Sequence, residues 1–254
     1  MQKREYLNFE GITISSYEYG EFDKIFNILS PHKGIITAII KRIRKTSNKN
    51  FDYIDIFQKM NFKASVSDNF CIIYEAKSME TWFERPIKLT NLSSGNIIAE
   101  LTINFNSINE NNNYIYHLVG KCLKWISNDI FLFTLVYFQI KLLLAEGIFP
   151  EIDICLNCNN KIQPGDYLLN LIESGIFCNE CSKKTKFSNL KLLEQEIRLL
   201  KHIKNTEYDN NLNRNNIITK KVKLDLYKKL STYIKFYTNK ELKSEKILFT
   251  SLNK

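Results

Sequence analysis

Two Cys-x-x-Cys pairs constrain this chain more than any other feature. They are Cys155-Leu156-Asn157-Cys158 and Cys178-Asn179-Glu180-Cys181, with 19 residues (159 to 177) between them. That is the spacing of a four-thiolate zinc site. Two residues between cysteines make a tight turn that points both sulfurs at one ion. A short hairpin then brings back the second pair to complete a tetrahedron with Zn–S distances of roughly 2.3 Å. Turn formers stand where the hairpin needs them, at Pro164-Gly165-Asp166 and Ser174-Gly175. Four protein ligands leave no position for water or substrate, so Cys155, Cys158, Cys178 and Cys181 predict a structural zinc ion. Two disulfides, or two redox motifs, are the rival readings of the same residues.

The compartment bears on that choice. The N-terminal Met1-Gln2-Lys3-Arg4-Glu5-Tyr6 lacks the apolar run of a signal peptide. The most apolar segment, residues 130–144, is interrupted by Gln139 and Lys141 and is too short for a bilayer. A cytoplasmic protein without a membrane partner is expected, and in a reducing compartment paired cysteines more often hold metal. Cys71 and Cys122 stand alone in apolar patterns and read as small buried hydrophobes.

Upstream the pattern is that of short strands. Gly11 to Tyr19 alternates apolar and polar residues, Lys24 to Leu29 and Ile35 to Ile40 flank a turn at Ser30–Gly34, and runs follow at Tyr53–Phe62 and Phe70–Tyr74. Five strands in this span predict a small barrel, the OB-fold being the commonest example and an SH3-like barrel the alternative. From about residue 79 the period becomes helical. Helices are expected at Ile97–Phe105, Tyr114–Ser127 and Ile130–Glu146, the third apolar on nearly every side and so central in a bundle. After the cysteines, Leu190, Leu193, Ile197, Leu200 and Lys204 fall on a helical stripe, and residues 217–237 read as a last long helix.

The chain carries 36 Lys+Arg against 27 Asp+Glu, a net charge of +9, which favours an anionic partner. Residues 25–51 hold Lys33, Lys41, Arg42, Arg44, Lys45 and Lys49 and no acidic residue. The dense part follows the third strand and reads as a barrel loop offering phosphate contacts. Nearby Tyr17, Tyr19, Phe51, Tyr53 and Phe57 could present faces to bases, although each taken singly reads as core. Residues 182–254 hold 18 Lys+Arg and 7 Asp+Glu. Their Lys220, Lys221, Lys223, Lys228 and Lys229 fit a solvated helix as well as a binding surface. Catalytic constellations are missing from the pattern. There is no phosphate-binding glycine loop, His32, His117 and His202 lie far apart, and Glu194 and Glu196 read as surface carboxylates.

Three motifs in order resemble the bacterial DNA repair family RecO. The first is Tyr19-Gly20-Glu21-Phe22-Asp23-Lys24-Ile25 followed by Leu29-Ser30-Pro31-His32-Lys33-Gly34. The second is Leu142 through Pro150, leading to Cys155, Cys158, Gly175, Cys178 and Cys181. The third is the helix around Tyr233 and then Leu242-Lys243-Ser244. The chain departs from the family where Arg42 follows Lys41, where Asn159 follows Cys158 and where Ile148 follows Gly147. At the first two positions the family commonly has glycine, and at the third tyrosine.

The resemblance implies an α+β, multidomain protein with a five-stranded OB barrel over residues 1–78 and an all-α domain over 79–254. A zinc-binding hairpin at 151–185 interrupts the latter. It further implies a recombination mediator without enzymatic turnover, located in the cytoplasm with the nucleoid. Such a protein binds single- and double-stranded DNA and anneals complementary strands. It engages the acidic C-terminal tail of single-stranded DNA-binding protein and, with RecR, helps load RecA. Some members lack the cysteines, so zinc is not essential to the activity they share. The competing expectations are a protein adaptor with structural zinc that never touches DNA, and a metal-dependent nuclease.

Overall fold

The computed structural model describes residues 5–44, 51–67, 70–105, 113–128, 130–183, 189–206 and 218–252. Five strands lead: β1 (Glu5–Tyr19), β2 (Asp23–Ser30), β3 (Gly34–Ile40), β4 (Gln58–Ser67) and β5 (Phe70–Thr81). They close into a barrel in the order β1-β2-β3-β5-β4, with β4 returning to β1. All neighbours are antiparallel except β3 and β5, which pair in parallel at Ala38–Cys71 through Ile40–Ile73. This is the OB arrangement, not the SH3-like one.

Alternation decides what enters the barrel. Phe26, Ile28, Ala38 and Ile40 turn inward to meet Met60, Phe62 and Ile73, whereas Asn27 and Thr37 between them face out, joined by a 2.8 Å hydrogen bond. Several strand ends differ from expectation, with β4 running on to Ser67 and β5 to Thr81. β1 begins at Glu5, six residues before Gly11, because its first half pairs with β4 from Glu5–Val66 to Ile12–Lys59. β4 begins at Gln58, not near Tyr53. Phe57 takes a left-handed backbone (φ 63), and buried Thr13 holds the turn by donating to Asp55 O (2.6 Å) and accepting from Gln58 N (3.0 Å).

Contacts divide the chain into two compact units, Met1–Phe131 with Leu242–Lys254, and Leu132–Glu241. The first contains the barrel, α1 (Leu89–Phe105), α2 (Asn113–Ser127) and a helix absent from the sequence expectations, α7 (Lys243–Leu252). The start of α7 is fixed by Glu100 of α1. Its carboxylate accepts from Lys243 N (2.7 Å), Ser244 N (3.2 Å) and Ser244 Oγ (2.6 Å), which satisfies donors that a helix start leaves open.

The second unit is built on α3 (Phe131–Ala145), buried without interruption from Leu132 to Leu143. Two residues past the end of α3 stands Gly147, whose φ of 69 suits glycine. After the cysteine hairpin come β8 (Asn189–Leu192), α5 (Glu194–Asn205) and α6 (Lys220–Thr238). Leu190 therefore lies in a strand and not on the expected helical stripe, because residues 189–192 pair with β6 (Tyr167–Asn170). Glu196 is also not the expected surface carboxylate. It is fully buried, holds Lys229 Nζ at 2.6 Å from both oxygens, and accepts from Leu193 N. No helix among the described residues is long and apolar enough to cross a membrane.

Candidate metal centre and nucleic-acid surface

The hairpin that carries the cysteines is assembled from turns. Ile154 bridges Lys161, Cys155 N donates to Asn160 O and Asn159 N donates back to Cys155 O, both at 2.9 Å. The turn closes because Asn159 is left-handed (φ 58). The return arm is β6 paired with β7 (Gly175–Phe177), and the short α4 (Asn179–Ser182) begins directly after Cys178. Gly175 is required by a close approach, since a Cβ there would stand 2.8 Å from the Leu156 side chain. Leu156 N donates to Ile176 O at 3.0 Å, which joins the first turn to the return arm.

These turns gather all four sulfurs within 4.8 Å of one another. Cys158 Sγ and Cys178 Sγ are 3.9 Å apart, far from a disulfide bond of about 2.05 Å. A tetrahedron with metal–sulfur distances of about 2.3 Å has edges of about 3.8 Å. The four thiols thus have the spacing of ligands around one ion, and they can bind a metal. Cys155 and Cys181 are buried while Cys158 is exposed.

Protonation chemistry points the same way. Burial pushes the Cys155 thiol up, but backbone N–H groups of Cys158, Cys178 and Asn157 outweigh it and bring it down to about 6. Cys178 N reaches that sulfur at 3.3 Å. At Cys181 the Asn157 amide, 3.2 Å away, favours the thiolate, yet the neighbouring cysteines and burial prevail and raise it to about 11. One thiolate therefore forms readily and opposes the others, an opposition that a central cation removes. Sequence reasoning misses the Asn157 amide as a sulfur partner. Its only sequence signal is a polar amide inside the Cys-x-x-Cys turn.

The basic residues divide into two groups. Lys33 lies in the β2–β3 turn, and Lys41, Arg42 and Arg44 follow β3. The seven residues of β3 separate these ends by roughly 20 Å, so Lys33 does not join the others. Lys45 and Lys49 lie outside the described residues. Arg42 is left-handed (φ 56), held by Asp23 Oδ1, which accepts from Arg42 N at 2.7 Å, and by Phe22 O, which accepts from Arg44 N at 3.1 Å. Arg42 and Asn159 are the two positions where the family commonly has glycine, and both keep the backbone that glycine favours. Arg44 also forms an exposed ion pair with Glu18 at 3.1 Å.

Among the aromatics, core was the wrong expectation for Tyr17, Tyr19 and Tyr53, which are 51, 53 and 65% exposed, and right for Phe57 at 1%. Tyr17 stands opposite Ile25 on β2, which stands opposite Ile39 on β3. The outer face of the first three strands thus carries an aromatic and two aliphatic side chains above the polar row Ser15, Asn27 and Thr37.

The second motif and the Tyr233 helix of the third meet in space within the second unit. Tyr233 Oη donates to Ile148 O (2.8 Å) and lies 2.5 Å from Ser174 Oγ, joining α6 to the end of α3 and to the cysteine hairpin. Comparison with known proteins agrees. Residues 1–82 match the family model described as Recombination protein O N terminal, and residues 88–246 match Recombination protein O C terminal. A DNA repair protein RecO of Listeria monocytogenes is 24% identical over 242 residues, covering 94% of this chain and 92% of its own. Those of Dehalococcoides mccartyi (21% over 211 residues, 83% of each chain) and Alkaliphilus metalliredigens (23% over 181 residues, 70% of this chain and 73% of its own) are similar as well. With both halves of the family matched in order over an OB barrel and a helical unit, the chain belongs to the RecO family of DNA repair and recombination proteins.

Proposed function

We propose that this protein binds single- and double-stranded DNA, anneals complementary strands and, with RecR, helps load RecA onto DNA coated with single-stranded DNA-binding protein. The observation that carries this reading is the outer face of β1–β3. There Tyr17, Ile25 and Ile39 lie in one row, and β3 runs into the basic turn Lys41–Arg44, whose backbone bonds to Phe22 and Asp23 at the turn between β1 and β2. Phosphates look alike, so cations on that turn would hold a backbone without regard to sequence, while an exposed tyrosine offers a face to any base. Neutralising two strands lowers their mutual repulsion and lets them pair. Lys33 would meet the backbone at the opposite end of β3, and Lys45 and Lys49 are proposed as further phosphate contacts. The basic second unit suits the acidic tail of single-stranded DNA-binding protein. Turnover chemistry has no part in this mechanism, and the setting is the cytoplasm and its nucleoid.

Zinc is the metal that this donor set favours. Four thiolates select a soft or borderline ion, and tetrahedral sulfur coordination suits zinc. Cys155, Cys158, Cys178 and Cys181 would hold it in a closed, structural site.

A strand-annealing assay on DNA coated with single-stranded DNA-binding protein tests activity and partner together. In parallel, alanine at Lys41, Arg42, Arg44 and Lys45 should flatten the dependence of log K on log salt by about 0.7 for each phosphate of the single strand that is no longer neutralised. An unchanged slope would remove the turn from the binding surface. The adaptor reading draws on the Arg44–Glu18 pair, which lowers the charge of the turn. It predicts binding of an acidic tail peptide with no competition from single-stranded DNA.

A further inference from the structure

The four sulfurs of the hairpin are not equally open to solvent. Cys155 and Cys181 are buried, sharing the hairpin's core with Phe177, and Leu156 and Ile162 pack against that core. Cys158 is exposed and Cys178 half-buried. Each Cys-x-x-Cys pair thus supplies one shielded sulfur and one that solvent reaches. The shielded two are also held from within the fold. Cys178 N donates to Cys155 Sγ at 3.3 Å, and Asn157 Nδ2 donates to Cys181 Sγ at 3.2 Å. An N–H aimed at sulfur occupies a lone pair that an attack on an oxidant would use.

The two open sulfurs face each other across the hairpin. Cys158 lies on the first turn and Cys178 on the return arm, yet their Sγ atoms stand 3.9 Å apart. A disulfide brings two sulfurs to about 2.05 Å, so these need approach by only about 1.9 Å. The backbone beside both is a turn, since Asn159 reverses the chain after Cys158 (φ 58) and α4 begins after Cys178. Turns yield to such a shift more readily than paired strands. A bond within either Cys-x-x-Cys pair would instead have to engage a buried sulfur.

We infer that Cys158 and Cys178 are a peroxide-sensitive pair whose oxidation to a disulfide expels the metal and leaves the hairpin closed by a covalent bond. This rests on the zinc reading of the four thiolates. The Cys158 thiolate attacks one oxygen of hydrogen peroxide, the O–O bond breaks and hydroxide leaves, giving a sulfenic acid. The Cys178 thiolate then attacks the Cys158 sulfur, the S–O bond breaks and a second hydroxide leaves. The two thiolates have lost one electron each, the peroxide has been reduced, and two protons from solvent turn the hydroxides into water. Disulfide sulfurs carry no charge, and Cys155 and Cys181 alone offer half the ligands of a closed zinc site. The new bond spans the 19-residue spacer and joins both arms, so it restrains the chain in place of the ion. A thiol reductant reverses it, and zinc then returns.

The test uses the full chain, reduced and loaded with zinc, then titrated with hydrogen peroxide. Released zinc is read with a chromogenic chelator, and bonds are mapped by alkylation, digestion and mass spectrometry. Zinc loss and the Cys158–Cys178 bond should rise together in equal amounts, and a thiol reductant with added zinc should restore the starting state. Amides of residues 167–177 should exchange more slowly in the oxidised protein than in reduced protein stripped of zinc by a chelator. Zinc retained at peroxide levels that oxidise a free cysteine peptide would overturn the switch. So would zinc loss with bonds confined to Cys155–Cys158 and Cys178–Cys181. Oxidised protein whose 167–177 amides exchange as fast as in stripped protein would overturn the covalent closure. Reduced protein that takes up no zinc at all removes the zinc reading and this one with it.

Discussion

The barrel and the cysteine hairpin solve the same problem with different means. Ten buried residues, Phe26, Ile28 and Phe62 among them, fill the barrel, and each strand is paired on both sides. Each large side chain contributes roughly 1.5–3 kcal/mol on burial, so the sheet can hold itself. In the hairpin the buried cluster is Cys155, Phe177 and Cys181, two of the three being proposed metal ligands. Tyr167, Leu169 and Ile176 add buried side chains on β6 and β7, but strands of three and four residues are too short to order the two cysteine turns by themselves. The barrel is specified by alternation of side chains, the hairpin by the placing of four sulfurs.

The largest test of that contrast is Cys155→Ser. It should abolish stoichiometric metal and raise amide exchange throughout residues 154–182, while barrel amides keep their protection. Structural zinc contributes roughly 10–16 kcal/mol in small zinc-dependent folds, far more than this apolar cluster can. Hairpin amides that stay protected without metal would show that the small core suffices. Next in size is Phe62→Ala, which empties the centre of the barrel beside Phe9 and should cost about 3–5 kcal/mol in unfolding. Metal content should stay at one ion per chain, and its parallel loss would mean that the two regions do not fold separately.

The smallest effect concerns the hairpin's base, where Asp153 meets Lys204 at 2.5 Å and Lys201 at 3.4 Å. The hydrogen bond from Lys204, and then the charges of both lysines, hold the Asp153 carboxyl below its ordinary value against some opposition from burial. A carboxylate lowered in the folded state adds stability above its unfolded pKa of about 3.9 and loses it as pH falls through the folded value. Asp153→Asn should therefore cost less than about 1 kcal/mol at neutral pH, since the pair is half exposed. Unfolding midpoints measured against pH should converge with the parent's below about pH 3.9. A difference that persists in strong acid would point to packing and not to charge.

What could be read from the sequence follows the same divide. The four cysteines were legible because a two-residue gap fixes a turn whatever surrounds it. Strands β2 and β3 were legible because inward and outward residues alternate. Features fixed by a distant partner were not. Glu196 looks like any helix-surface glutamate until Lys229, 33 residues on, is placed beside it. α7 follows a left-handed Asn239 and has little apolar pattern, and its first turn is secured by Glu100, over 140 residues earlier. Tyr17, taken singly, reads as core because it is a large aromatic, and only the register with Ile25 turns it outward. The basic turn was legible as charge, but its division from Lys33 needed the length of β3.

The return of α7 to the barrel's unit bears on how the chain is made. Residues 132–241 leave the ribosome before the helix that completes the first unit does. A nascent chain can close its five strands early, since every residue of the barrel is then already made. Yet Glu100 must wait for Lys243 and Ser244 to emerge before it has backbone donors to receive. During translation the N-terminal unit therefore passes through a stage with a finished sheet and an unfinished helical layer. A truncation before residue 242 would hold it there permanently.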